Sequence, residues 1–348
     1  MLQETIEGKW VKAFVEVLRN CAVKKGEVVA VLSESQSRPV LPKLAELALH
    51  QLEARPFQIL LSSPEIESPV PIRSTGTSLA VAGLSPVVKA LASSSMVIDC
   101  TVEGLLHSRE LPEILKGGAR VLMISNEHPE VLERTRPTLA LRDRVRRGME
   151  LLGKARRMRV TSEAGTDLTV NVEGAPARGA TGFVDEPGRI GYWPAGLCLC
   201  FPKPGCVNGK LVLSSGDVNL TFKRYIETPM EFTIEDDYVT RIDGDGLDAE
   251  LTRAYYEAWN DREAYATSHV GWGMNLGARW DAMTMYDKQQ HNGTELRAFA
   301  GNFLFSTGAN ENAGRFTPCH FDFPMRNCTV ELDGKVVVEK GKLIAELM

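Results

Sequence analysis

The stretch "EVVAVLSESQSRPVLPKLAELALHQLEARPFQILL" (27–61) decides the fold, because it contains one complete strand–helix–strand unit. Its two ends, 27–32 and 57–61, are short apolar runs of the kind that forms buried strands. Between them, residues 41–54 carry apolar side chains at helical spacing. Two strands joined by a crossover helix run parallel and bury that helix against one face of the sheet. The unit therefore predicts an α/β domain.

The same alternation extends over the first 155 residues. The amphipathic spacing of Trp10, Phe14, Val17, Leu18 and Cys21 predicts a helix before the first strand. After the unit, signals for helix, strand, helix, strand and helix follow one another over 83–93, 96–100, 109–116, 120–124 and 138–155. Residues 1–155 are thus predicted to form a mostly parallel α/β domain with helices on both faces of the sheet.

The pattern changes in the second half of the chain. Three segments have the alternation and turn residues of β-hairpins, over 157–172, 230–244 and 328–341. Asp333-Gly334, in the last of them, is a strong hairpin signal, and a helix near 247–259 interrupts the series. Residues 156–348 are therefore predicted to form an α+β domain with antiparallel strands. The cleft between two such domains is a common place for a ligand.

Composition excludes several classes of function. The net charge is −5 without a long basic run, so we expect no binding to nucleic acid. No stretch approaches ~20 uninterrupted apolar residues, so we expect no membrane span. The polar start "MLQETIEGKW" predicts no secretory signal. Seven scattered cysteines suit a reducing compartment, and we expect a soluble cytoplasmic protein.

The stretch "TPCHFDFP" (317–324) places His320 and Asp322 two residues apart. Phe321 and Phe323 alternate with them, which is the period of an extended strand, so the imidazole and the carboxylate project to one face. They are two of the three ligands of a 2-His-1-carboxylate iron site. From these eight residues alone, a salt-bridged or solvated pair on an edge strand is the simpler interpretation.

Two further histidines have settings that favour function. His269 lies in "ATSHVGWGMN" (266–275), where two glycines predict a backbone that turns tightly and approaches another element closely. His107 follows the strand at 96–100, and ligands of open α/β sheets bind beyond the carboxyl ends of strands. The other histidines are assigned to a helix surface, a helix start and a polar loop, at His50, His128 and His291.

Together His269, His320 and Asp322 supply two imidazoles and one carboxylate. This set holds iron(II) on one face and leaves the opposite positions open. Mononuclear zinc hydrolases use similar ligands, so the set alone does not name the metal.

At these residues the sequence resembles the 2,5-dihydroxypyridine 5,6-dioxygenases, the ring-cleaving enzymes of bacterial nicotinate breakdown. The matching stretches occur in one order over more than two hundred residues and are "LLHS" (105–108), "DEPGR" (185–189), "SHVGWG" (268–273), "GNFLFSTGAN" (301–310) and "TPCHFDFPMRNC" (317–328). The resemblance implies a fold related to the leucyl aminopeptidases of the thermophilic metallopeptidase type. It also implies an iron(II) cofactor in the C-terminal domain.

The resemblance further implies roles for individual residues. Iron(II) is bound by His269, His320 and Asp322, and His107 is the base that takes a proton from the hydroxypyridine. Ser306 lies beside the metal and either hydrogen-bonds an oxygen of the reaction or is a turn residue. The expected reaction inserts both atoms of O2, opens the ring beside nitrogen and gives an N-formylmaleamate-type product. A small aromatic substrate, O2 and a homo-oligomeric assembly are the partners that it implies.

Two positions depart from the pattern of that family. Where the family has a glutamate and a histidine on the substrate side, this chain has Ala180 and Tyr192. Tyr192 either donates a hydrogen bond to substrate or packs beside Trp193. Such polar changes discriminate strongly between substrates, so the ring substituents stay open.

The main alternative is a metal-dependent aminopeptidase of the same fold, which uses two zinc ions. In those enzymes a glutamate ligand occupies the position of Leu197, and a leucine binds no cation. A binding protein that has kept the fold is the non-enzymatic alternative.

Overall fold

The computed structural model describes residues 5–65 and 77–348. The helices are α1 (Gly8–Asn20), α2 (Val40–Gln51), α3 (Ser85–Ala92), α4 (Leu111–Lys116), α5 (Pro129–Arg134), α6 (Leu139–Lys154), α7 (Leu247–Trp259) and α8 (Thr294–Ala298). Short 3-10 helices cover Arg262–Tyr265, Trp280–Thr284, Glu311–Ala313 and Ala345–Leu347. Within the described ranges, no helix has the length and apolar character needed to cross a membrane.

The strands of the first half are β1 (Val28–Glu34), β2 (Arg55–Leu61), β3 (Met96–Asp99) and β4 (Arg120–Met123). Those that follow are β5 (Arg157–Thr161), β6 (Asp167–Asn171), β7 (Ala177–Ala180), β8 (Ile190–Tyr192), β9 (Leu197–Cys200), β10 (Val207–Leu213), β11 (Val218–Asn219) and β12 (Arg224–Tyr225). The last are β13 (Met230–Glu235), β14 (Tyr238–Asp243), β15 (Thr267–Gly273), β16 (Phe303–Asn310), β17 (Arg315–Met325), β18 (Thr329–Leu332), β19 (Lys335–Glu339) and β20 (Lys342–Leu343).

The first sheet is parallel, with the order β2-β1-β3-β4-β8. Along β1, Val29 and Val31 pack against α1 and α2, while Ala30 and Leu32 pack against α3 and α4 on the opposite face. This is the alternation of a strand buried on both sides. The predicted parallel sheet covered by helices is confirmed.

Two antiparallel sheets form the rest of the molecule. One has the order β14-β13-β10-β6-β5-β18-β19-β20 and the other β17-β16-β15-β9-β7, with a β11-β12 pair beside them. Apolar side chains of both sheets and of α6 and α7 share one core. The predicted hairpins are present, and Asp333 and Gly334 turn with φ of +50° and +84°, the left-handed values that a tight hairpin turn needs. The predicted α+β character of the second half is confirmed.

The two halves interlock at two elements. β8, from beyond residue 155, is the fifth strand of the parallel sheet, where it pairs with β4. Conversely, α6, from before residue 155, packs in the core of the antiparallel half through Leu141, Val145 and Leu152. The division into 1–155 and 156–348 stays a prediction.

Candidate metal centre and active site

The edge strand β17 carries two of the predicted metal ligands. Phe321 and Phe323 point into the core between the antiparallel sheets, so His320 and Asp322 project from the other face. The strand lies at the end of its sheet, where prolines are tolerated because one edge makes no ladder hydrogen bonds. The predicted extended strand is confirmed, and both polar side chains are buried.

His269 comes from β15, two strands away, across β16. The expected tight turn is wrong, since 267–273 is a strand, but its register against β16 shifts between Thr267 and Val270. Such a bulge adds a residue on one strand and re-aims the side chains there. The expected close approach is present: a Cβ at Gly271 would lie 2.1 Å from the carbonyl oxygen of Cys198 on β9.

The three side chains converge on one small volume. His269 Nε2 lies 3.3 Å from His320 Nε2 and 3.8 Å from Asp322 Oδ1, and His320 Nε2 lies 3.4 Å from the same oxygen. A point equidistant from three atoms at these separations lies about 2.0 Å from each, which is a metal–ligand bond length. Two imidazole nitrogens and a carboxylate oxygen facing one point therefore fit a single cation. The role of these residues as ligands stays a prediction.

The protonation states of these three side chains favour binding of a cation. Burial lowers the pKa of His269 and of His320, which favours neutral rings with a lone pair to donate. Burial alone would raise the pKa of Asp322, but Arg297 and the two histidines hold it well below its usual value. Arg297 Nε donates to Asp322 Oδ2 at 2.5 Å, and the hydroxyl of Ser306 donates to Oδ1. The carboxylate is thus ionised and fixed in orientation.

The position of Ser306 decides between its two interpretations. It lies inside β16, directly opposite Asp322 in the β16–β17 ladder, and is fully buried. The alternative of a turn residue is therefore wrong. Its hydroxyl contacts Asp322, so it supports a predicted ligand, and the direct contact with substrate stays a prediction.

His107 faces this cluster from the other half of the molecule. It lies in the loop between β3 and α4, beyond the carboxyl end of β3, as expected for a residue that meets a ligand. Its ring centroid is 4.8 Å from that of His320. Nδ1 lies 3.0 Å from Glu311 Oε1, while Nε2 is buried without a hydrogen-bond partner. An unpaired nitrogen thus remains beside the predicted ligands.

A pocket joins these groups. Its empty space, including the mouth open to solvent, is about 600 Å³. The surface that the lining exposes is mostly apolar, although about half of its residues have polar side chains. The lining comprises Glu103, Leu106, His107, Met123, Tyr192, Pro194, Leu197, Leu199, Phe201, His269, Asn292, Thr294, Arg297, Ala298 and His320. This is the character of a site for a small aromatic molecule.

The two departures from the family pattern lie together in one apolar cluster, and of the two Tyr192 lines the pocket. Ala180 and Leu197 pack in one apolar cluster, and Tyr192 packs against it. Trp193 instead belongs to the core of the parallel half, where it contacts Phe14, so Tyr192 does not pack with it. Burial raises the pKa of Tyr192, so its phenol stays protonated as a possible donor.

Sequence reasoning missed two charged residues of the site, Arg297 and Glu311. Arg297 lies on α8 and Glu311 in the turn between β16 and β17, and no local spacing connects them with the residues that they contact. Among the remaining histidines, His128 caps α5 as expected. His291 is in a loop but is buried, and its pKa falls to about 3 because of that burial and of nearby cations.

Comparison with known proteins shows the family to which the chain belongs. The sequence model of the family NicX, 2,5-dihydroxypyridine 5,6-dioxygenase, matches residues 9–345. The chain belongs to the 2,5-dihydroxypyridine 5,6-dioxygenase family. A relative named 2,5-dihydroxypyridine 5,6-dioxygenase, from Pseudomonas putida KT2440, is 38% identical over 338 residues, which cover 95% of each chain.

Solved structures show the same relation. The structure of 2,5-dihydroxypyridine dioxygenase from Pseudomonas putida KT2440 matches with a TM-score of 0.92 at 36% identity, covering 98% of this chain and 99% of that one. Wild-type AmpT from Thermus thermophilus matches with a TM-score of 0.65 at 13% identity, covering 97% and 99%, which shows the fold alone. The family resemblance drawn from the five sequence stretches is confirmed, and the chain is an enzyme similar to a ring-cleaving dioxygenase.

Proposed function

We propose that this family member opens the ring of 2,5-dihydroxypyridine, or of a close relative, in an extradiol-type reaction with O2 that depends on one iron(II). The expected product is of the N-formylmaleamate type and retains both oxygen atoms. The observation that carries the proposal is the convergence of His269, His320 and Asp322 on one point at the wall of an apolar pocket.

The donor set favours this metal. Two neutral imidazoles and one ionised carboxylate on one side, with the pocket on the other, are the arrangement of mononuclear non-haem iron(II) oxygenases. When bound, iron(II) would supply Lewis acidity and a common binding position for the ring and O2. Ser306 and Arg297 keep the Asp322 carboxylate ionised and oriented for it.

The other pocket residues act on the substrate. A hydroxypyridine becomes electron-rich enough for oxidation when a ring hydroxyl loses its proton, and the buried, unpaired Nε2 of His107 is placed to accept that proton. The apolar side chains Leu197, Leu199 and Phe201 pack against the flat ring and exclude water. The Tyr192 hydroxyl donates to a ring substituent.

The aminopeptidase alternative requires a second metal. Leu197 lines the pocket with a hydrocarbon side chain, and in residues 5–65 and 77–348 the cluster of His269, His320 and Asp322 is the one group of metal-binding side chains. We therefore expect one iron per chain, measured by elemental analysis after reconstitution. Two zinc ions per chain would favour a peptidase.

Oxygen consumption tests the reaction directly. Protein loaded anaerobically with iron(II) is mixed with 2,5-dihydroxypyridine in an oxygen electrode, with apoprotein and zinc-loaded protein as controls. We expect one O2 consumed per ring, and a product heavier than the substrate by both oxygen atoms. No uptake with any of a panel of hydroxypyridines, despite bound iron, would favour a binding protein instead.

A substitution tests the proposed base. His107→Ala is expected to keep iron but lower turnover by about 10²–10⁴-fold, the usual contribution of a general base. His50→Ala, at the exposed end of α2, removes a histidine remote from the pocket and serves as the matched control. Unchanged turnover in His107→Ala would remove His107 from the reaction.

Location and assembly are also proposals. All seven cysteines are free, which agrees with a reducing cytoplasm. A homo-oligomer is expected from the family, and the molar mass in solution measured by light scattering would test it.

A further inference from the structure

Glu311 connects the two halves of the molecule at the candidate site. It begins the short turn between β16, which carries Ser306, and β17, which carries His320 and Asp322. Its carboxylate Oε1 reaches across to Nδ1 of His107 at 3.0 Å, and the His107 side chain is only 3% exposed. The turn that leads into the strand of His320 and Asp322 thus contacts the proposed base through the Glu311 side chain.

This contact determines which nitrogen of His107 carries a proton. An ionised carboxylate only accepts hydrogen bonds, and a neutral imidazole has one N–H and one bare nitrogen. Burial opposes ionisation of Glu311, but the hydrogen bond from His107 offsets it, and the pKa of Glu311 is lowered overall. A carboxylate at Nδ1 therefore requires N–H there and leaves Nε2 bare. Nε2 is the nitrogen that is buried without a partner.

We propose that Glu311 is a positioning residue that holds the His107 ring by Nδ1, so that the bare Nε2 faces the pocket beside the predicted ligands. The proposal rests on the proposed role of His107 as the base. A histidine base acts through a bare nitrogen, and a carboxylate at the other nitrogen fixes both the tautomer and the rotation of the ring.

The turn itself does not need the Glu311 carboxylate. Asn310 caps it by accepting from the backbone N–H of Ala313, and the Asn310 amide donates to the carbonyl of Pro202. The backbone carbonyl of Glu311 accepts from Gly314, which any residue at 311 can preserve. Glu311→Ala is therefore expected to fold with the same turn.

Kinetics of three variants test the proposal in the iron-loaded enzyme. Glu311→Ala is expected to lower kcat by about 10- to 100-fold with KM and iron content within about twofold of wild type, because misorientation removes part of a general base's contribution. Glu311→Gln keeps a carbonyl oxygen that accepts from His107 Nδ1. On a logarithmic scale, the decrease of kcat in this variant is expected to be at most about half of the decrease in Glu311→Ala. Glu110→Ala is the matched control, because Glu110 accepts from Ser108 on the loop of His107 without touching that ring.

A second readout does not depend on activity. Nitrogen-15 NMR of histidine-labelled protein, loaded with zinc as a diamagnetic substitute, distinguishes the two tautomers. We expect the Nδ1–H form of His107 in wild type and in Glu311→Gln, and the Nε2–H form to appear in Glu311→Ala. The same tautomer in wild type and Glu311→Ala, or an unchanged kcat in that variant while His107→Ala is inactive, would overturn the proposal. Full turnover of His107→Ala would instead refute the proposed base, while the tautomer shift would still support the contact.

Discussion

Replacing Ser306 with alanine removes the hydroxyl that donates to Oδ1 of Asp322, the oxygen that faces His269 and His320. Ser306 is fully buried, so bulk water does not replace the lost donor. The hydrogen bond of Arg297 to Oδ2 stays in place, and the carboxylate therefore stays ionised. The expected effect is a less well-oriented oxygen ligand in a site that still assembles.

Two independent arguments give the same free-energy cost for Ser306→Ala. A hydrogen bond to a charged group contributes about 1.5–3 kcal/mol. Loss of a group that orients a metal ligand weakens metal binding by about 10–100-fold, which corresponds to about 1.4–2.7 kcal/mol. We therefore expect the Kd for iron(II) to rise by roughly 30-fold, or about 2 kcal/mol.

The neighbouring residue offers a matched control. The hydroxyls of Thr307 and Tyr256 form a hydrogen bond of 2.7 Å on the other face of β16. Thr307→Val removes that buried hydroxyl with little change of shape and leaves Asp322 untouched. Kd is measured anaerobically by competition with an iron chelator, and circular dichroism checks that each variant is folded. Equal Kd values for wild type and Ser306→Ala, or an equal rise in both variants, would refute the assigned role of this hydrogen bond.

Three further changes test other parts of the structure. His291 has a pKa of about 3 when folded and of about 6.5 when unfolded, so protons bind the unfolded chain first and stability falls as pH falls through this window. Between pH 5.5 and pH 4, the free energy of unfolding measured with urea should fall by about 2 kcal/mol more in wild type than in His291→Gln. An equal decrease in the two proteins would contradict this prediction. Gly271→Ala should push β15 away from Cys198 and lower the free energy of unfolding by about 1–3 kcal/mol, as measured by thermal unfolding. Gly8→Ala is the control, because a Cβ at Gly8 meets open space, and its stability should stay near that of wild type. Tyr192→Phe should raise KM by about fivefold, or about 1 kcal/mol, at unchanged iron content, and an unchanged KM would show that the hydroxyl does not bind substrate.

The features that the sequence predicts well depend on short-range patterns. The alternation of Phe321 and Phe323 with His320 and Asp322 determines which face each side chain takes, whatever the strand pairs with. The hairpin turn at Asp333 depends equally on local backbone preference. Such patterns depend on only a few neighbouring residues of the sequence.

The features that the sequence does not predict depend on long-range contacts. The bulge that aims His269 appears only in the register of β15 against β16. Arg297 and Glu311 approach Asp322 and His107 through tertiary packing, and neither lies at a spacing that a helix or strand pattern would reveal. The strand β8 joins the parallel sheet of the first half for the same reason, because pairing with β4 is a property of the folded chain.

Anomalous diffraction at the iron absorption edge, from crystals of the iron-loaded protein, tests the central claim most directly. The account predicts one peak per chain, within about 2.2 Å of His269 Nε2, His320 Nε2 and Asp322 Oδ1. A peak remote from these three atoms, or two metal peaks in the pocket, would contradict it.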